Sequence, residues 1–366
     1  MRVHGTHWRS IFLADDGWSV AVIDQTLLPF EFAVVHLRTA GDAVRAIADM
    51  TVRGAPLIGV TAAYGLALAM REDPSEDSLG ETAAVLVDAR PTAVNLRWAV
   101  ERVAAVLRPL PPDGRCERAY AEAAAIAEED VAACAAIGRH GASLIERLSS
   151  TAGGRPVRVL THCNAGWLAC VDWGTALAPV YAAHEAGIPV LVMVDETRPR
   201  SQGASLTAWE LAGHGIPHRV IVDNAGGHLM QHGQVDLCLV GSDRTTRRGD
   251  VANKIGTYLK ALAAHDNGVP FYAALPSSTI DWNLDDGVRD VPIEDRGARE
   301  VTHVRGQAAD GTVQEVEVVN PGSAVLNPGF DVTPARLVTG IITERGIASA
   351  TADGLLSLYP ERSAAG

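Results

Sequence analysis

Aromatic side chains are scarce in this chain. It has five Phe, six Tyr and seven Trp in 366 residues, 5% of the total. That leaves little material for the stacking platforms of a single-stranded nucleic-acid binder. Positive charge is also in deficit, with 31 Lys and Arg against 44 Asp and Glu and a formal net charge of −13. A field of that sign opposes polyanion binding as the main task, so no nucleic-acid partner is expected. A few arginines gathered in a pocket can still hold a small anion. The cysteines are five, Cys116, Cys134, Cys163, Cys170 and Cys238, an odd count with no CxxC pair. This argues against a zinc ribbon or a disulfide framework and fits a reduced cytosol. The first dozen residues lack the apolar stretch of a signal peptide. No uncharged apolar run approaches the ~20 residues that span a bilayer. A cytoplasmic protein with no membrane partner is expected. A Walker GK[ST] and a GxGxxG fingerprint are missing, and so is a GxSxG elbow, which leaves nucleotide, NAD and α/β-hydrolase readings unsupported.

What is present is ample core material, 47% hydrophobic residues, and enough length for two domains. Short strands and turns fill the first forty residues, including the β-branched run Trp18–Ile23. Helices are expected over Ala40–Met50 and Val60–Met70, after Arg90-Pro-Thr with Thr92 as cap, and over the Ala-rich Arg118–Leu148. After the break Thr151–Pro156 the texture changes. Apolar strands are expected at Val157–Thr161, Pro189–Val194, Arg219–Asp223, Asp236–Gly241 and Pro270–Leu275. Helical patterns lie between them at Thr175–Ala186, Ser205–Ala212 and Val251–His265. Strands alternating with helices mean βαβ units and a parallel sheet. The reading is an α/β protein: a mixed, mainly helical N-terminal domain over 1–145, then a Rossmann-like domain over 146–366. Residues Ile280–Arg305 and Val319–Phe330 read as excursions, and Thr333–Glu344 as a closing strand or helix pair.

Ligands of such sheets bind outside the carboxyl ends of the strands. Four of the five expected strand ends carry chemically capable residues: His162-Cys163-Asn164, Asp195-Glu196-Thr197-Arg198, Asp223-Asn224 and Ser242-Asp243-Arg244. Cys163, on a turn expected to lead into a helix N-terminus, is a nucleophile or base favoured as thiolate. A small buried core cysteine is the competing reading. Asp243 is a candidate general acid, or simply a turn cap. Arg53-Gly54-Ala55-Pro56 and Arg90-Pro91 each join an arginine to a tight turn before a helix, the pairing a phosphate needs, although either arginine alone also reads as a solvated one. Asn253 and Lys254 are expected on the first turn of a helix, with Lys254 as a point charge for phosphate. Arg198, Arg200 and Gln202 follow the second strand, on a loop that suits an anion or sugar hydroxyls as well as water. His228 and His232 lack the Glu of a zincin helix and read as structural.

Taken together, Arg53-Gly-Ala-Pro-Leu-Ile-Gly, Arg90-Pro-Thr-Ala-Val-Asn-Leu, Thr161-His-Cys-Asn-Ala-Gly, Asp195-Glu-Thr-Arg-Pro-Arg-Ser-Gln-Gly-Ala, Gly241-Ser-Asp-Arg and Gly249-Asp-Val-Ala-Asn-Lys-Ile-Gly-Thr-Tyr closely resemble the motifs of one family. Asn327-Pro-Gly-Phe-Asp-Val-Thr-Pro and Ile341-Ile-Thr-Glu-Arg-Gly belong to the same pattern. It is the S-methyl-5-thioribose-1-phosphate isomerase family, related to regulatory subunits of the eukaryotic initiation-factor exchange complex. The resemblance runs from about residue 10 to 350. It implies an aldose-to-ketose isomerisation of a sugar 1-phosphate in methionine salvage, with no metal or nucleotide cofactor, in a homodimer. Cys163 and Asp243 match the catalytic pair. Arg53, Gly54, Ala55, Arg90, Gln202, Asn253 and Lys254 match substrate- and phosphate-binding positions. Two stretches depart from the pattern. Arg244-Thr-Thr-Arg-Arg248 is more basic than usual, and Pro276-Ser-Ser-Thr replaces Pro-Leu-Ser-Thr. The alternatives are isomerisation of 5-deoxyribose 1-phosphate or ribose 1,5-bisphosphate, or a non-catalytic regulatory protein that senses a sugar phosphate or nucleotide.

Overall fold

The computed structural model describes residues 1–3, 5–90 and 94–365. Thr92, expected as a helix cap, lies outside them. The N-terminal part pairs a three-stranded antiparallel sheet, Ile11–Leu13, Val20–Ile23 and Val34–Leu37, with a set of helices. Helix Ala40–Ala48 starts at a capping box in which Thr39 and Asp42 each bond the other's backbone. Helix Ala55–Glu72 is buried on almost every side, because its small and aliphatic residues leave no polar face. Around it pack Glu76–Ala89, Val94–Leu107 and the 40-residue Pro112–Thr151. That last helix, roughly 60 Å long at 1.5 Å per residue, continues onto the second half of the molecule. A Cβ on Gly141 would stand 2.3 Å from Pro179 Cγ, so glycine there lets the helix lie against Ala178–Glu185.

The second half is built on a seven-stranded sheet. In spatial order its strands are Gly346–Ala348, Gly340–Thr343, Phe271–Ala274, Leu237–Val240, Val157–Thr161, Val190–Asp195 and His218–Ile221. All neighbours are parallel except the Gly340–Thr343 and Gly346–Ala348 pair at one edge. The strand order and near-continuous apolar runs are those of a doubly wound α/β domain, as the alternation of elements predicts. Val157–Thr161 lies between Val190–Asp195, the next strand of the sheet in the chain, and Leu237–Val240, so the order reverses between it and Leu237–Val240. The crevice of such a sheet opens at that reversal.

Three expectations change. The segment expected as helix Val251–His265 is a strand, Val251–Lys254, followed by helix Thr257–Asp266. The strand pairs antiparallel with Arg244–Thr246 on one side and Phe330–Thr333 on the other, partners that short-range periodicity does not show. Helix Ala225–Gln231 was not anticipated. The excursion after residue 276 carries an antiparallel pair, His303–Gln307 with Val313–Glu317. Among the described residues, no helix is long and apolar enough to cross a membrane.

Candidate active site

Cys163 and Asp243 follow the two strands that flank the reversal point. Cys163 has a left-handed backbone, φ +68°, which a non-glycine residue adopts only when its surroundings compel it. Its N–H donates to Thr197 Oγ1 at 2.9 Å, and its carbonyl accepts from Thr207 Oγ1 at 2.8 Å. Thr197 is itself left-handed and is tied by its N–H to Asp223 Oδ1 at 2.7 Å. A Cβ on Gly203 would fall 1.7 Å from the Asp195 carbonyl, so only glycine lets this loop close. The closure brings Gln202 to the cysteine, whose Sγ donates to Gln202 Oε1 at 3.5 Å.

After Cys163 the chain makes a 3₁₀ turn at Trp167–Ala169 before helix Ala178–Glu185. Burial pushes the thiol up, and the nearby positive charges of Arg53 and Lys254 only partly offset it.

The cations are buried beside it. Arg53 donates through Nη2 to the Asn164 carbonyl at 2.7 Å and through Nη1 to the Asn164 side-chain oxygen. Gly54 caps helix Ala55–Glu72 with φ +98°. Ala55 lies at its first turn and lines a small cavity together with Asp243, Arg90, Ile58, Val291 and Phe330. Lys254 donates to the Gly329 carbonyl at 2.9 Å and sits 4.9 Å from the Phe330 ring centre. Burial brings its ammonium down to about 8, helped by Arg296 and opposed by Cys163. Asn253, next to it on the same strand, donates to Thr257 Oγ1 at 3.1 Å. Arg90 follows helix Glu76–Ala89, and Nη2 stands 3.7 Å from Glu294 Oε2. Gln202, Arg53, Lys254 and Asp243 are thus near neighbours of Cys163, and Asp243, Ala55 and Arg90 line one cavity. Arg247 and Arg248 of the basic stretch both bond Asp285, at 2.6 and 2.9 Å.

Two buried networks escaped the sequence reading of roles. Glu210 accepts from Asn164 Nδ2, the N–H groups of Trp167 and Leu168, and the Tyr181 hydroxyl, all within 3.0 Å. Burial raises its carboxyl, and these donors oppose the rise. A single Glu in a helical pattern carries no signal for this. His162 bonds Asp195 Oδ2 at 2.9 Å and the Ile255 carbonyl at 2.8 Å, and Lys260 Nζ stands 3.0 Å from the same Asp195 oxygen. His162 and Asp195 were visible as strand-end residues, but their pairing was not. His162, Asp195 and Asp223 have donor atoms within 4.8 Å of one another. Lys260 already supplies the cation there. Asp130, Cys134 and Cys170 form a second such group, with Asp130 accepting from Val171 N–H at 2.7 Å. His228 and His232 pack ring to ring with centres 4.2 Å apart.

Residues 51–350 match the model of the initiation factor 2 subunit family. The chain belongs to that family. Within it, a methylthioribose-1-phosphate isomerase of Methylobacterium nodulans is 67% identical over 99% of both chains, and one of Rhodospirillum centenum is 64% identical over 99% of this chain and 96% of its own. The crystal structure of 5-methylthioribose 1-phosphate isomerase from Pyrococcus horikoshii superposes with a TM-score of 0.82 at 39% identity, covering 97% of each chain. This family member is an isomerase of the methylthioribose-1-phosphate isomerase branch, as its motifs indicate.

Proposed function

We propose that the protein converts 5-methylthioribose 1-phosphate to 5-methylthioribulose 1-phosphate in methionine salvage. The observation that carries this reading is the placement of Cys163 and Asp243 on either side of the sheet's reversal point, beside buried Arg53, Arg90 and Lys254. Phosphate on the anomeric carbon blocks spontaneous ring opening. A proton must reach the ring oxygen as its bond to C1 breaks. Asp243 supplies it from a cavity whose other walls include Ile58, Val291, Pro292 and Phe330. Hydrogen then passes from C2 to C1 as hydride, and as the ketone forms the C2 hydroxyl proton leaves to water, from which Asp243 regains the proton it gave. A raised thiol disfavours Cys163 as a ready thiolate base for a carbon-bound proton, so the reading takes a hydride shift, with Cys163 beside the reacting carbons assisting it. The cations and the N–H groups at the start of helix Ala55–Glu72 hold the phosphate and position C1 and C2. The homodimer belongs to the same reading. So does the domain division near residue 145, which the first apolar cluster supports, being drawn almost wholly from residues before 128.

The test is phosphorus and proton NMR of the protein with 5-methylthioribose 1-phosphate, beside Cys163→Ala. A ketose 1-phosphate signal absent from the variant is expected. Substrate deuterated at C2 should keep its label at C1 in ordinary water; washout would replace the hydride shift by an enediol route. No conversion by folded protein would refute the reading.

A further inference from the structure

Arg296 lies on the excursion that closes over the Asp243 cavity, in a segment the sequence offered no role. Its side chain is 4% exposed, and that of Arg90 is 10% exposed. One oxygen, Glu294 Oε2, stands between them, 3.3 Å from Arg296 Nη1 and 3.7 Å from Arg90 Nη2. Two buried guanidiniums around a shared anionic oxygen make the arrangement that binds a phosphate.

The acid that fills it is loosely held. Both contacts are long for charge-assisted hydrogen bonds, and the Glu294 side chain is 33% exposed. Glu300, the other acid at Arg296, stands 3.6 Å from its Nε, and it is anchored elsewhere as well, by Arg200 at 3.1 Å and Asn327 at 3.2 Å. Among the described residues, the buried Arg90 Nε has no hydrogen-bond partner. Arg296 is also near enough to lower both Arg90 and Lys254, after the larger effect of their burial. Its stem packs on Gly329, where a Cβ would meet Arg296 Cδ at 2.7 Å, and the Gly329 carbonyl is the one that holds Lys254. Arg90, Lys254 and Arg296 therefore form one cationic cluster.

We propose that Arg296 is a further substrate-binding residue that clamps the phosphate with Arg90, and that Glu294 occupies the phosphate's place until the anion displaces it. The inference rests on the sugar-phosphate reading above, and it names an acid–anion exchange that the reading does not require.

Inorganic phosphate is the probe, titrated calorimetrically and used as a competitive inhibitor, alongside KM and kcat for 5-methylthioribose 1-phosphate. Arg296→Ala should weaken phosphate binding and raise KM by about tenfold or more, with kcat changed less, as expected for loss of a charged contact. Glu294→Gln should tighten phosphate severalfold, because an amide competes poorly for two guanidiniums. Arg296→Lys, which keeps the charge, should fall between, and thermal melts identify any variant that fails to fold. Unchanged phosphate affinity and KM in folded Arg296→Ala and Arg296→Lys would overturn the clamp. Weaker phosphate binding in Glu294→Gln would make Glu294 a structural brace and overturn the exchange. Arg296-dependent phosphate binding without turnover of the sugar would sink the substrate reading and leave the clamp standing. Turnover with an Arg296-independent KM would do the reverse.

Discussion

Arg53 grips Asn164 twice, through its Nη2 to the backbone carbonyl at 2.7 Å and through its Nη1 to the side-chain oxygen. The arginine next to the Gly54 helix start is thereby bound to the residue that follows Cys163. In the proposed function it serves the phosphate, and its bonds to Asn164 also fix the cysteine loop. Arg53→Ala should raise KM by about tenfold and lower kcat by a similar factor, where a purely phosphate-binding arginine would move KM alone. Steady-state kinetics decide between the two, and an unchanged kcat would separate Arg53 from the loop.

Asp243→Asn keeps the shape of the side chain and removes its proton-donating ability. Turnover should drop by about a hundredfold or more, while inorganic phosphate still binds with near-native affinity. Substantial residual turnover would take the general-acid role away from Asp243.

Lys254 carries a pH limit. Its ammonium titrates near 8 because burial disfavours the charge. As pH rises through that value the charge that the proposed function assigns to phosphate binding is lost. The ratio kcat/KM for the free enzyme should therefore decline above pH 8, with much of the change in KM. A flat profile to pH 9.5 would mean that Lys254 contributes no charge to binding.

Asp130 makes the opposite kind of statement, about stability. Full burial raises its carboxyl to about 7 from 3.8, against the hydrogen bonds from Val171 and Cys134. The folded chain thus holds this proton more tightly than the unfolded chain does. Folding stability is unaffected below the unfolded value and is lost progressively as pH rises from about 4 to about 7, on the order of a few kcal/mol. Asp130→Asn should melt higher than the parent at pH 8 and close to it at pH 4. Parallel melting curves at both pH values would contradict the shift.

Gly54 has φ +98°, and an added Cβ would approach the Ala169 carbonyl to 2.5 Å. Gly54→Ala meets strain and a backbone clash together. A loss of about 2 kcal/mol or more is expected in chemical denaturation, with activity falling further because the displaced turn carries Arg53.

Much of this was readable along the chain. The alternation of apolar runs and helical patterns after residue 156 specified a parallel sheet, because each run must be buried on both faces. The strand-end rule then drew attention to Cys163, Asp195 and Asp243 before any contact was known. The Lys254 segment was misread because Val-Ala-Asn-Lys is too short for its periodicity to separate helix from strand. Its strand character comes from Thr245 and Phe330 neighbours brought alongside by the fold.

Local pattern and residue chemistry, which act over a few neighbours, determined the sheet, its strand ends and the identity of the family. Only the tertiary structure decided the burial of Cys163, the pairing of His162 with Asp195, and the meeting of Arg90, Glu294 and Arg296. Those depend on burial and on distances between residues far apart in the chain, and both exist only once the chain has folded.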